Sequence, residues 1–259
     1  MKFIPIKAIN HSATSFKTFL EICERMYAHS KTQPWTGSVD AARGDQIHCA
    51  LEKGIRRAIA HNGPFILGDL AKEFCADNEP ASRIESDPCR WPLSTYELGQ
   101  WLDRAIVSFA DVDEWHEAEE WARADIPGCE RPLVAKLDAV CTYKGVKSIW
   151  DHKSTKSMGK KLTPYAAQRD IQGLCYSWMT GIRQVIWSYF TANHDAELVV
   201  VNYSDQEIAN FEKFMVHHAQ MIERKWETQD WRHCQPGGLC QARWCSLYDK
   251  CYPKITKEQ

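Results

Sequence analysis

The chain has 259 residues, 44% apolar and 25% charged, values of a globular protein that exclude a disordered, collagenous or low-complexity chain. Thirty-two basic residues stand against 34 acidic ones, a formal net charge of −2, so any role on nucleic acid must rest on a local basic patch. No run approaches the ~18 apolar residues of a membrane span, and Pro5 and Lys7 interrupt the opening too early for a secretory signal, so a cytoplasmic protein with no membrane partner is expected.

In chain order, the first predicted helix runs from about Ser12 to His29, with Phe16, Phe19, Leu20, Cys23 and Tyr27 along one side. A second runs from about Ser38 to Ala60, where Ile47, Leu51, Ile55 and Ile59 recur every fourth residue. Two more fall near 67–77 and 94–110, separated by a Pro/Asp/Ser-rich loop at 78–93. The period then changes to two, predicting strands near 115–123, 133–143 and 146–153. A helix at about 164–180, strands near 184–191 and 197–203, and a long helix from about Asp205 to Thr228 follow. The tail from Trp231 onward is too irregular to pack alone, yet it holds Cys234, Cys240, Cys245 and Cys251. Eleven cysteines cannot all pair, and in a chain without a signal peptide such crowding points to metal or cluster ligands.

The strands at 133–143 and 146–153 carry the chemistry. If Lys144-Gly145 is a two-residue hairpin loop, opposed residues sum to 289, so that Asp138 faces Asp151 and Lys153 projects from the same face. Opposed side chains of an antiparallel pair lie about 4.5–5.5 Å apart, where two carboxylates repel unless a cation sits between them. Hard oxygen donors suit Mg²⁺ or Mn²⁺ better than zinc, and an adjacent lysine can activate water or stabilise charge on a phosphate. On the following helix Gln168, Gln172 and Tyr176 follow at four-residue steps, placed to hydrogen-bond a phosphate or a base. Between hairpin and helix, His152 to Arg169 holds Lys153, Lys156, Lys160, Lys161 and Arg169 with no acidic residue, which supplies the basic patch. His48 lies beside the Ile47/Leu51 stripe; alone, such a residue is more often an ordinary helix histidine than a ligand.

Asp138, Asp151-His152-Lys153 and Gln172-Gly-Leu-Cys-Tyr176 resemble the PD-(D/E)xK nuclease core with the Gln-x-x-x-Tyr motif of RecB-type exonucleases. Gly44-Asp-Gln-Ile-His48 is similar to that family's Gly-x-x-x-His helix motif, and the segment HSATSFKTFLEICERMYAH is similar to its N-terminal cysteine segment. The iron–sulfur branch, which includes CRISPR-adaptation nucleases and phage exonucleases, joins that cysteine to three C-terminal ones around a [4Fe–4S] cluster. The resemblance covers 12–52, 133–178 and 240–251. It implies an α/β restriction-endonuclease-like core, a central mixed sheet flanked by helices, with a helical N-terminal part and a Cys-rich tail closing an Fe–S site. It further implies Mg²⁺ or Mn²⁺ at His48, Asp138, Asp151 and the carbonyl of His152, with Asp138, Asp151 and Lys153 catalytic. Gln172 and Tyr176 would contact DNA near the scissile phosphate, with Lys156, Lys160, Lys161 and Arg169 gripping the backbone. Cys23, Cys240, Cys245 and Cys251 would hold the cluster. Two positions depart from the pattern: Ala135 replaces a glycine, and four residues rather than two separate Cys240 from Cys245, which lets Cys234 compete for that role. Four thiolates also suit structural Zn²⁺, although one N-terminal cysteine with three C-terminal ones favours iron.

The expectation is a single nuclease domain over 1–259: N-terminal helices at 12–60, a helical insertion at 61–114, the catalytic core at 115–203, and a helix and cluster-binding tail at 204–259. Its function would be metal-dependent DNA exonuclease action in recombination, repair or end processing. The alternatives are a non-catalytic Fe–S scaffold that binds DNA and an endonuclease of the same fold. Besides DNA, a recombination or adaptation protein and a second copy of the chain are the partners left open.

Overall fold

The computed structural model describes residues 10–32, 39–77, 92–232 and 251. In chain order the elements are β1 (His11–Ser12), α1 (Ala13–Lys17), a π-helical turn (Thr18–Ile22), α2 (Glu24–Thr32), α3 (Val39–His61), α4 (Leu70–Asp77), α5 (Thr95–Ile106) and a 3₁₀ turn (Val107–Asp111). There follow β2 (Val112–Ala124), β3 (Leu133–Tyr143), β4 (Val146–Ser154), a short 3₁₀ turn (Met158–Lys160), α6 (Pro164–Ala167), α7 (Ile171–Thr180), β5 (Gln184–Thr191), β6 (His194–Asn202) and α8 (Asp205–Thr228). Among the described residues no helix is long and apolar enough to cross a membrane. The chain divides into two compact units, one of residues 36–122 and 135–209, the other of 1–35, 123–134 and 210–259.

In the first unit β2, β3, β4, β5 and β6 lie in that order in a mixed sheet, with β3/β4 and β5/β6 antiparallel and β4/β5 parallel. Lys144 and Gly145 both adopt positive φ (51° and 78°), the two-residue turn whose twist matches that of the flanking strands. The turn sets the predicted register: Tyr143 pairs Val146, Val140 pairs Ile149 and Ala139 pairs Trp150. One sheet face carries Ala139, Cys141, Tyr143, Trp150, Ile186 and Phe190, which pack in one apolar cluster with Ile47, Leu51 and Ile55 of α3 and Leu98 and Leu102 of α5. The stripe of α3 is therefore buried as its four-residue spacing predicts, apart from Ile59, which is half-buried. Helix α5 starts on a reciprocal Ser94/Glu97 cap. By the alternation of strand side chains, Asp138, Asp151 and Lys153 point to the opposite face.

The other unit is held by polar side chains around aromatic rings. β1 runs parallel to Leu133 and Val134. The single helix predicted over 12–29 is broken: Cys23 is extended (φ −168°, ψ 129°) between the π-helical turn and α2. Its N–H bonds back to Thr18 O at 2.9 Å and its carbonyl accepts from Tyr27, restarting the helix. Tyr27, Trp226 and Trp231 pack against one another at tilted and edge-on angles, the two indole centroids 4.8 Å apart. Glu24 pairs with Lys225 at 2.8 Å and accepts the Arg232 N–H, while Arg25 donates to Trp231 O. Glu223 accepts the backbone N–H groups of Glu130 and Arg131 and lies 3.5 Å from the buried ring of His11.

Burial lowers the pKa of His11 to about 4, against the opposing pull of Glu223; Arg131 and Lys31 add to the lowering. Because the folded value lies below the ordinary 6.5, the contribution to stability is complete above that pH. It is lost as pH falls towards 4, by about 3 kcal/mol in all. Unfolding free energies measured from pH 7 to 4 should show this slope and lose it in His11→Gln; an unchanged slope in the variant contradicts the assignment.

Candidate active site

Beyond the Ala139–Trp150 pair the two strands stop exchanging backbone bonds. The N–H of His152 donates to Asp138 Oδ2 at 2.7 Å, so the Asp138 carboxylate takes a place that a backbone carbonyl would fill. On α3, one turn of helix places His48 beside the Ile47/Leu51 anchor, and its Nδ1 lies 3.4 Å from the same Asp138 oxygen. Asp151 is 1% exposed. Its Oδ2 accepts from Gln172 Nε2 at 3.1 Å and from Tyr176 OH at 3.4 Å, and Lys153 Nζ stands 2.5 Å from Oδ1. Lys153 also donates to Gln172 Oε1 at 3.3 Å. The structure thus brings together His48, Asp138, Asp151, His152, Lys153, Gln172 and Tyr176.

Helix α7 presents Gln172 and Tyr176 because the predicted 164–180 helix divides at Asp170, whose side chain caps α7 through the N–H groups of Gln172 and Gly173. Gly173 lets α7 lie against β5: a Cβ there would be 2.5 Å from the Trp187 ring and 2.6 Å from the Tyr203 hydroxyl. Gly173→Ala should therefore cost about 1–3 kcal/mol of stability and, by pushing Gln172 and Tyr176 off Asp151, lower catalytic activity as well. Thermal unfolding and turnover of one preparation check both. Gln168, expected in line with Gln172, lies across the helix break and bonds instead to Glu207 and Asn202 O.

The electrostatics separate the two carboxylates. Burial favours protonation of Asp138, but the charge of His48, aided by His152 and Lys153, overcomes it and holds the group well below the usual carboxylate range. Burial raises Asp151 to about 6, although Lys153 pulls it down. His48 is raised despite its burial because Asp138 favours its charge. Burial lowers His152 to about 3.

Two observations test whether these residues suit a hard divalent cation. Both ring nitrogens of His152 are buried without a hydrogen-bond partner, and the buried Asp151 Oδ1 is met by the Lys153 ammonium. Donor atoms of His48, Asp138 and Glu119 also lie within 4.8 Å of one another. The donor set fits. Glu119 escapes the sequence: buried residues Trp115 and Ala118 are three apart, so β2 breaks its period of two just where Glu119 adopts φ 54°. Simple alternation could not sort it from its acidic neighbours Glu117 and Glu120.

Of the basic residues, Lys156 pairs with Asp40 at 2.8 Å and Lys161 with Glu197, partners that lie far away in sequence. Lys160 is exposed, and the Arg169 guanidinium stacks 3.8 Å from the centre of the exposed Tyr165 ring. Of the four cluster candidates, Cys240 and Cys245 lie outside the described residues, as does Cys234. Cys23 is half-buried at the helix break, and Cys251 Sγ accepts from Arg25 Nη1 at 3.8 Å, two residues along the chain from Cys23.

Several comparisons bear on this geometry. Among solved structures the chain resembles a Eubacterium rectale protein named "Putative exonuclease" with a TM-score of 0.56 and 14% identity, over 96% of this chain and 90% of that one. At that identity the likeness shows the fold alone. A second structure, SSO0001, shares 14% identity over 90% of this chain and 94% of that one, with a TM-score of 0.38. A search among curated proteins finds no match. The family model of the PD-(D/E)XK nuclease superfamily matches residues 10–251. A match over nearly the whole length, on a mixed sheet flanked by helices with two aspartates and a lysine meeting at the hairpin, places the chain in the PD-(D/E)XK nuclease superfamily.

Proposed function

We propose that this protein is a metal-dependent DNA exonuclease that hydrolyses phosphodiester bonds in recombination, repair or end processing. The observation that carries the reading is the meeting of Asp138, Asp151 and Lys153 where β3 and β4 part, with His48 held on Asp138. His48, Asp138, Asp151 and the carbonyl of His152 would hold Mg²⁺ or Mn²⁺. When bound, such a cation supplies Lewis-acid polarisation of the phosphate and eases deprotonation of water.

The chain's own residues do the rest. Lys153, beside Asp151 and raised in pKa by Asp151 and Asp138 despite its burial, stays charged and faces the negative charge that develops on the phosphate oxygens. Gln172 and Tyr176 fix the Asp151 carboxylate, and turning one of these donors away from it would bring an amide or a hydroxyl to the scissile phosphate. Lys156, Lys160, Lys161 and Arg169 grip the backbone. The ion pairs of Lys156 and Lys161 are exposed, the kind worth only about 0–1 kcal/mol, so phosphates can displace Asp40 and Glu197. Cys23, Cys240, Cys245 and Cys251 would hold a [4Fe–4S] cluster, with structural Zn²⁺ as the alternative occupant.

Digestion of one random sequence as a linear duplex and as a covalently closed circle tests the exonuclease reading. Mn²⁺-dependent loss of the linear form alone is expected. Opening of the circle would make it an endonuclease, and binding without cleavage would make it a scaffold.

A further inference from the structure

We propose that Glu119 is a ligand of the active-site cation and that Lys136 balances its charge until the cation arrives. This rests on the cation site proposed above and adds a residue outside the Asp138–Asp151–Lys153 set. A Glu119 oxygen, His48 and Asp138 offer three donor atoms within 4.8 Å of one another, the dimension of one coordination sphere. The Glu119 side chain is 8% exposed. A carboxylate so buried, beside a second one, is costly unless positive charge meets it.

Two cationic groups meet that need. Lys136 of β3 forms an ion pair with Glu119, and His48 stands on Asp138. They differ from Glu119 in exposure: the Lys136 side chain is 46% exposed and can turn into water, whereas the glutamate side chain is 8% exposed. His48, Asp138 and Glu119 would hold the cation, whose charge would take the place of the lysine's at the Glu119 carboxylate.

A second feature lies beside His48, independently of the acidic groups. The ring of His152 is 2% exposed, has no partner for either nitrogen, and stands at 80° to the ring of His48 with 5.8 Å between centroids. Buried ring nitrogens without a partner are rare in folded proteins and call for an explanation, which a cation held by the neighbouring His48 would supply. A set of one imidazole and two carboxylates accepts Mn²⁺ readily, which makes Mn²⁺ the probe of choice.

The test is Mn²⁺ titration into the full-length protein, counting the free ion by its electron paramagnetic resonance signal. Glu119→Gln should weaken binding about tenfold or more. Lys136→Met should tighten it about threefold, the worth of an exposed ion pair, and should do so only where Glu119 is present. If Glu119→Gln binds Mn²⁺ like the unaltered protein while Asp138→Asn loses it, Glu119 is no ligand and the proposed site stands without it. If the unaltered protein takes up no Mn²⁺, the site and this inference fall together. Should Glu119→Gln not fold, Lys136→Met decides alone: tighter binding supports the exchange and unchanged affinity overturns it.

Discussion

Asp138→Asn should lower the rate of DNA cleavage by at least about 10³-fold, roughly 4 kcal/mol of transition-state stabilisation, while leaving the fold intact. The neutral amide keeps the shape of the carboxylate and can still accept the His152 N–H, but it no longer offers the negative oxygen that His48 and a cation need. Asp151→Asn should be equally inactive and, unlike the first variant, less stable. It leaves Lys153 without its nearest counter-charge in a site where that lysine is only 31% exposed. Complete burial of an uncompensated charge costs more, so a loss of about 1–3 kcal/mol is expected. Cleavage of end-labelled DNA and thermal unfolding, measured on the two variants together, separate chemistry from folding. Activity surviving in Asp138→Asn would remove the aspartate from the mechanism, and collapse of that variant's fold would make it structural.

The second large effect concerns Cys23. If Cys23 and the tail cysteines share one cluster, Cys23→Ala should lose the iron and with it up to about 5 kcal/mol, the constraint of closing a loop of more than two hundred residues. The structure shows why the loss would be felt locally. Glu24 and Arg25, which follow the cysteine, hold Lys225, Trp231 and Arg232, and Arg25 reaches Cys251. These bonds align the start of α2 with the end of α8, and a cluster on Cys23 would lock the same seam. Iron content, absorbance near 400 nm and unfolding temperature read the result, with Cys129→Ala as the control. A colourless protein containing zinc would keep the staple and change its metal. A protein without metal whose stability ignores Cys23 would discard it.

The sequence made the hairpin legible because a two-residue turn and a period of two leave one parity for every residue on both strands. Asp138, Asp151 and Lys153 therefore followed from arithmetic. What lay outside it depended on irregularity or on distance along the chain. The apolar spacing of Phe16, Phe19, Cys23 and Tyr27 runs smoothly through the first helices, and the π-helical turn that opens the chain at Cys23 adds a residue without disturbing that pattern. The break in β2 hides Glu119 in the same way. Asp170, an N-cap within an apparently continuous helix, separates Gln168 from Gln172. The basic segment from His152 to Arg169 has no acidic residue of its own, yet Asp40 and Glu197 reach two of its lysines from other elements. Pairings between elements far apart in the chain leave no periodic trace.

The most direct test of the metal-dependent nuclease site is digestion of linear, end-labelled DNA by the full-length protein, purified without oxygen and assayed with Mn²⁺ or with EDTA. Shortening from an end with Mn²⁺, absent with EDTA and absent in Asp138→Asn at either condition, is the predicted result. Shortening that persists in EDTA, or equally in Asp138→Asn, would contradict it.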